Sequence, residues 1–454
     1  MVQINARHVL TPTGWARDMC VQVEAGRIGH IGPRMGTSAH TVDLLLPAPV
    51  NLHSHAFQRA MAGLTEARGP DPTDSFWTWR RLMYQFLDQL TPDMVEAIAA
   101  QTYMEMLEAG YGAVAEFHYL HHDAGGAPYN HLPEMAARIM AAAEDTGLGL
   151  TLLPVLYMQG GCDGRPLAGG QRRFGCDLDL FARLYEGCAD LVAAGPDDAA
   201  LGLAPHSLRA VPPGALAEMR ALCPSGPLHM HLAEQVAEVT EVQAHLGARP
   251  VTWLLDNAPV DPAWCLIHCT QMTNSETAAL AAAGAVAGLC PITESSLGDG
   301  IFDGVAYHGA QGRFGIGSDS NIHIALWEEL ATLDYSQRLR DRSRAALALP
   351  DRSTGRALFD AAARAGAQAA ARASGRIEVG AQADLIALST DNEVLAGRSG
   401  DTLLDSLIFS GRGHRCVTDV WSAGRHMVQN SQHIHRGRIA TRYKDVLHTL
   451  GQAL

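Results

Sequence analysis

The chain has 454 residues, 47% hydrophobic and 18% charged, with a formal net charge of −14 and 21 histidines. That is the balance of an enzyme-sized globular protein of one or two domains, and the acidic surplus argues against nucleic acid or an anionic membrane as a partner. Thirty-three of the 34 basic residues are arginine and one is lysine, Lys444, which excludes chemistry that needs a lysine in the body of the chain: a Schiff base, a phosphate-loop lysine, or a lysine carbamate bridging two metals.

Residues 2–33 read as short strands with a hairpin at Ala25-Gly26. Stretches of the same character return in GRIEVGAQADLIALS (375–389) and in residues 417–437. Neither set can bury a core alone, so the two terminal segments, 1–46 and 375–454, are expected to build one composite β-sandwich domain around an inserted middle. The first residues lack the apolar run of a signal peptide, and no later run approaches the ~20 apolar residues that span a bilayer. Nine scattered cysteines without a CxxC pair suit a reduced compartment. A cytoplasmic location is expected.

Between residues 47 and 374, eight short apolar runs each precede a helical stretch: LLLPAPVNLHSH, GAVAEFHYLHH, GLTLLPVLYM, ALGLAPHSL, PLHMHLAE, AWCLIHCT, AVAGLCPIT and RFGIGSDS. Thr91-Pro92 and Gly110 punctuate one helix, and Asn274 and Gly284 another. Eight such units, continuously rather than alternately apolar, predict an α/β chain folded as a (β/α)8 TIM-like barrel, with a doubly wound open sheet as the alternative.

In a barrel the chemistry lies at the C-terminal strand ends. The first run ends in His53-Ser54-His55, whose two histidines share a strand face; the fifth ends in HMHLAE (229–234), the sixth in His268 and the eighth in Asp319. Three histidines and a carboxylate make a zinc set with one position open for water. Each residue alone has a structural explanation. His229 or His231 could be a hydrogen-bonded core histidine, and Asp319 could cap a helix beginning near Ala325. Spacing does not choose between His229 and His231.

HSH after the first run, HxxE after the fifth, His after the sixth and SD after the eighth resemble the mononuclear deaminase branch of the amidohydrolase superfamily, and GRIEVGAQADLIALS is similar to its composite β domain. The resemblance implies one Zn2+, or another divalent ion, per chain, held by His53, His55, His231 and Asp319. It selects His231, because the HxxE pattern ends at Glu234. It also implies catalytic roles for Glu234, His268 and Asp319 in a hydrolase that releases ammonia from an amidine-like carbon. The fourth run ends in PHSLR with no lysine, so a binuclear carbamate site is excluded; no PCxxC occurs, so the cytidine-deaminase type of zinc site is absent too.

Beyond the ligands, the loops offer Gln58 and Arg59, then Arg80 and Arg81, then His118, Tyr119, His121 and His122, and finally His206 and Arg209. Arginines at the mouth of an acidic protein suit an anionic substrate. NLHSHAFQRAMAGLTE, EFHYLHHD, APHSLRAVP and HLAEQ resemble the N-formimino-L-glutamate iminohydrolases of that branch, which act in histidine degradation. This implies a dicarboxylate formimino substrate held by Gln58, Arg81, Tyr119, His206 and Arg209, with Arg80 or Arg81 left open, and a homodimer. Ala48 departs from the Pro-Gly usual before the first ligands. A related aminohydrolase acting on a nucleobase such as guanine or cytosine is the alternative, which stacking aromatics would favour over arginines.

Overall fold

The computed structural model describes residues 2–36, 40–66 and 76–453, the side chains of residues 76–78, 80, 81 and 453 excepted. Strands β1 (Val2–Thr11), β2 (Gly14–Glu24) and β3 (Arg27–Pro33) form an antiparallel meander. Ala25 and Gly26 turn the second hairpin with φ of 46° and 75°, the left-handed geometry that two-residue hairpin turns need. β4 (His40–Pro47) then runs parallel to β1.

Each of the eight apolar runs contains a strand: β5 (Val50–Ser54), β6 (Ala113–His118), β7 (Gly149–Leu156), the short β8 (Ala200–Leu201) and β9 (Ala204–Pro205) in the fourth run, β10 (Leu228–Leu232), β11 (Trp264–His268), β12 (Val286–Leu289) and β13 (Arg313–Ile316). They pair in parallel as two sheets, β5-β6-β7-β8 with β9 on β7, and β10-β11-β12-β13. The chain is therefore α/β with parallel sheets. Single parallel bridges join Ser54 to Asp319 and Leu203 to Leu228.

The helices end where their caps predict. Pro92–Ala109 opens on Thr91, whose side chain accepts from the Met94 amide, and closes on Gly110 at φ 106°. Asn274–Ala283 closes on Gly284, but its cap is Thr273, in a reciprocal box with Glu276. Leu326–Asp341 starts after Ala325 without a side-chain cap, so Asp319 is not spent there.

β14 (Leu385–Leu388), β15 (Val417–Ser422), β16 (Arg425–Gln429) and β17 (Gln432–His433) complete a sheet with the N-terminal strands, in the order β17-β16-β15-β14-β4-β1-β2-β3. The two ends of the chain meet where β14 runs antiparallel to β4, from Leu388 opposite Leu44 to Leu385 opposite Pro47. Hydrogen bonds thus join both terminal segments in one eight-stranded sheet, where the sequence suggests a sandwich. Val9, Val21, Ile28, Leu45, Leu385 and Trp421 belong to an apolar cluster of its own, separate from the large one around the parallel strands. The C-terminal helix Arg436–Ala453, which the sequence reading leaves unassigned, packs on Pro92–Ala109; its buried Ile439 and Leu450 are three turns apart.

Candidate active site

The C-terminal ends of β5, β10, β11 and β13 converge on a cleft lined by His55, Gln58, Tyr119, His206, Arg209, His231, Glu234, His268 and Asp319. At its floor, Nε2 of His53 and of His55 lie 3.3 and 3.2 Å from Asp319 Oδ1, and His231 Nε2 lies 3.1 Å from His53 Nε2. All four side chains are buried, with ligand atoms within 4.8 Å of one another.

This donor set fits a divalent ion. His55 Nδ1 lies 3.1 Å from the Phe117 carbonyl and His231 Nδ1 3.2 Å from the His206 carbonyl. A carbonyl only accepts, so each Nδ1 carries the proton and each Nε2 turns its lone pair to the centre, as metal-bound histidines are oriented. Burial pushes His53 down to about 3 and, with the neighbouring histidines, holds His231 well below the usual range, so both rings stay neutral. Burial opposes the Asp319 charge, but the His53 and His55 rings beside it hold its carboxyl well below the ordinary range.

Strand ends place these groups through backbone that ordinary residues avoid. Ala233, His268, Cys269, Asp319 and Asn321 have φ of 53°, 71°, 51°, 45° and 55°. Left-handed non-glycine residues cost on the order of 1–3 kcal/mol each and persist where the surroundings over-determine them. The Glu238 carboxylate accepts from the Ala233 and Glu234 amides at 3.1 and 3.0 Å. His55 N donates to Asp319 O and Asp319 N to His53 O, both at 2.9 Å, lacing β5 to β13. Asn321 Nδ2 donates to Ser54 Oγ, His55 O and Asp319 O, each at 3.1 Å, while its Oδ1 accepts from Ser318 Oγ at 2.6 Å.

Beside the floor, Glu234 Oε1 lies 3.7 Å from His268 Nε2 and Oε2 lies 4.0 Å from Arg209 Nη2. Burial raises the Glu234 carboxyl, and Asp319 and Glu238 add to it. Burial disfavours charge on His268, yet Glu234, Glu294 and Asp319 together push it up to about 10. Glu294, 3.2 Å from His268 Nδ1, was not foreseen in the sequence; it sits four residues past Cys290 at the end of the seventh run.

Of the expected substrate groups, Gln58, Tyr119, His206 and Arg209 line the cleft. Gln58 donates to Tyr119 Oη at 2.8 Å, and Gln58 Oε1 and Arg209 Nε are buried without a hydrogen-bond partner among the described residues. The Arg80 and Arg81 side chains lie outside the described residues. Other expected residues do not line the cleft. His229 is bonded to the Ala369 carbonyl at 2.7 Å, and Arg59 pairs with Glu105 at 2.7 Å. His118 is buried away from the cleft, while His121 and His122 hydrogen-bond the Val155 and Gly175 carbonyls at 2.9 and 2.7 Å. Alternation explains His118, since Phe117 before it takes the inward face against His53 and His231. Trp79, Met83, Tyr84, Tyr157 and Phe174 complete the outer wall; aromatic residues drawn from the helix Phe76–Leu87, the end of β7 and a loop carry no common sequence signal.

Residues 44–427 match the amidohydrolase family, and the chain belongs to it. Within that family it is 47% identical to the formimidoylglutamate deiminase of Pseudomonas aeruginosa, over 98% of this chain and 99% of the relative. The 5-methylthioadenosine/S-adenosylhomocysteine deaminase of Nitratidesulfovibrio vulgaris is 29% identical over 86% of this chain and 81% of its own. Among solved structures, an amidohydrolase from Brucella melitensis superposes with a TM-score of 0.94 at 47% identity, covering 99% of this chain and 100% of its own. A zinc-bound adenosine deaminase from Xanthomonas campestris, 21% identical with a TM-score of 0.82 over 99% of this chain and 98% of its own, shares the fold. Among the described residues no helix is long and apolar enough to cross a membrane.

Proposed function

We propose that the chain hydrolyses N-formimino-L-glutamate to N-formyl-L-glutamate and ammonia, as a metal-dependent deiminase of histidine degradation. The observation that carries this reading is the position of Arg209, whose Nε has no partner among the described residues, across Glu234 from the His53, His55, His231 and Asp319 group. The 47% identity to the Pseudomonas aeruginosa deiminase over nearly the whole of both chains supports it.

His53, His55, His231 and Asp319 would hold a single divalent ion, zinc by preference for a nitrogen-rich set. When bound, the ion supplies Lewis acidity toward water. Asp319, beside it, takes the proton of the attacking water. Glu234, held high by burial, protonates the formimino nitrogen that leaves as ammonia. His268, kept cationic by Glu294 and Asp319, stabilises negative charge developing on oxygen. Arg209 pairs with a substrate carboxylate through its guanidinium. Gln58, Tyr119, His206 and Arg81 complete the recognition of the two carboxylates.

The bridges Ser54–Asp319 and Leu203–Leu228 support reading the two parallel sheets as one closed (β/α)8 barrel, residues 47–374. The separate apolar cluster of the terminal sheet supports a composite domain, 1–46 with 375–454, folded over as a sandwich. A homodimer in the cytoplasm is the assembly the family resemblance implies.

A zinc-loaded assay against N-formimino-L-glutamate, N-formimino-L-aspartate, guanine and cytosine tests the reading. Ammonia release is expected from the first substrate and little from the bases. Turnover of a base with none of the formimino amino acid would overturn it and favour the aromatic outer wall as a ring-binding surface.

A further inference from the structure

Far from the cleft, on the terminal sheet, three side chains from three strands bring ligand atoms together. His40 Nε2 of β4 lies 3.3 Å from Asp419 Oδ1 of β15, and His426 Nε2 of β16 lies 2.8 Å from the same oxygen. Their ligand atoms all lie within 4.8 Å of one another. β4 is not a hydrogen-bonded neighbour of β15, because β14 runs between them in the sheet order, so the group joins the N-terminal and C-terminal segments by side chains alone.

We propose that His40, Asp419 and His426 form a second divalent-metal site, of the zinc or nickel class, that clamps the two ends of the chain together. Metal–ligand bonds of about 2.0–2.1 Å in a tetrahedron set neighbouring donors roughly 3.3–3.4 Å apart. The His40–Asp419 distance already has that value, as do the His53–Asp319 and His55–Asp319 distances on the cleft floor. The His426–Asp419 pair has to open by about 0.5 Å from hydrogen-bonding to ligand spacing.

The rings are pre-set for it. Trp421, fully buried, stacks on His426 with centroids 4.4 Å apart at 17° and receives the edge of His40 at 5.5 Å. His40 and His426 themselves meet edge to face at 5.1 Å. Burial disfavours the Asp419 charge, but His426, Thr418 and His40 hold its carboxyl below the ordinary range, the deprotonated form a ligand needs. His40 is 41% exposed and His426 24%, which leaves a route in and positions for water on a three-ligand ion. Two imidazoles and one carboxylate suit zinc, nickel or copper over magnesium or calcium.

The test is Zn2+ titration of the metal-stripped full chain by calorimetry, with metal content per chain and melting temperature as further readouts. Wild type is expected to take up two equivalents. The second is expected to weaken at least tenfold in His426→Gln and in Asp419→Asn, with deiminase activity of the zinc-loaded protein unchanged. His40→Gln, at the most exposed of the three positions, is expected to abolish the rise in melting temperature that the second equivalent gives wild type. A wild type with one equivalent, or a second equivalent that none of the three substitutions weakens, would overturn the proposal and leave the group a hydrogen-bonded surface cluster.

Discussion

Charged and polar side chains are buried at both ends of the parallel strands, and the two ends treat them in opposite ways. At the N-terminal ends of β7 and β8, Arg372 donates to Asp384 Oδ1 and Oδ2 at 2.9 and 2.6 Å and to Asp198 Oδ2 at 2.8 Å. Arg425 of β16 closes on Asp198 Oδ1 at 2.6 Å, and the Ala423 amide donates to Asp384 at 2.7 Å. There each charge is answered by a partner, and the network locks the terminal sheet to the strands. At the C-terminal ends, Nε2 atoms of His53, His55 and His231 converge, Glu234 keeps 3.7 Å from His268 and 4.0 Å from Arg209, and Arg209 Nε and Gln58 Oε1 have no partner among the described residues. Satisfied buried charge holds a structure; unsatisfied buried charge is held in readiness for a ligand.

That contrast can be broken by experiment. The largest effect belongs to Glu234→Gln, which should cut kcat on the order of 10³–10⁴-fold, the upper range for proton transfer, while zinc content and melting temperature stay near wild type. A variant with more than a tenth of the activity would remove the proton-transfer role. The mirror experiment at the paired end is Arg372→Met. It leaves buried Asp384 without its arginine and Asp198 with Arg425 alone, and should cost about 3–5 kcal/mol of stability in denaturant melts, with kcat/KM of the surviving folded protein unchanged. A stable variant, or one with altered kcat, would break the division of labour.

Arg209→Met should raise KM by about 10- to 100-fold with a smaller fall in kcat, since it removes one desolvated carboxylate contact. Equal loss in kcat alone would move Arg209 from binding to the chemical step. The smallest effect is in pH. Burial raises the Asp198 carboxyl, but Arg425 and Arg372 outweigh it and hold it down to about 2. Its folded value is below the ordinary value of 3.8, so its contribution is present above about pH 4 and is lost as the pH falls toward 2. Acid melts of wild type and Asp198→Asn should converge across that window; parallel curves down to pH 2 would detach Asp198 from acid stability.

Much of the site was legible in the sequence because the parallel strands are short and continuous and end in the residues of the site. HSH, HMHLAE, His268 and SD fall at the ends of β5, β10, β11 and β13, and the structure brings the predicted quartet within 4.8 Å. Two kinds of residue escaped. Glu238, Glu294 and Asn321 act on backbone or on another side chain, and hydrogen bonds of that kind have no spacing rule. His118, His121, His122 and Arg59 were drawn toward the cleft by nearness in sequence, whereas pleat alternation turns His118 away and local pairing consumes Arg59.

By itself the sequence determined the α/β class, the eight strand-bearing runs, the helix limits at Thr91 and Gly110, and the absence of lysine from residues 1–443, which confines positive charge in the strand-bearing runs to arginine and histidine. These follow from local rules of period, capping and composition. Only the tertiary structure chose His231 over His229 on geometric grounds, since the two share a strand face and differ in depth: one ring reaches the cleft floor, the other the Ala369 carbonyl. It alone joined β4 to β14 across some 340 residues and so brought His40 to Asp419 and His426. No local pattern encodes either outcome, because both depend on which distant backbone closes the space around a side chain.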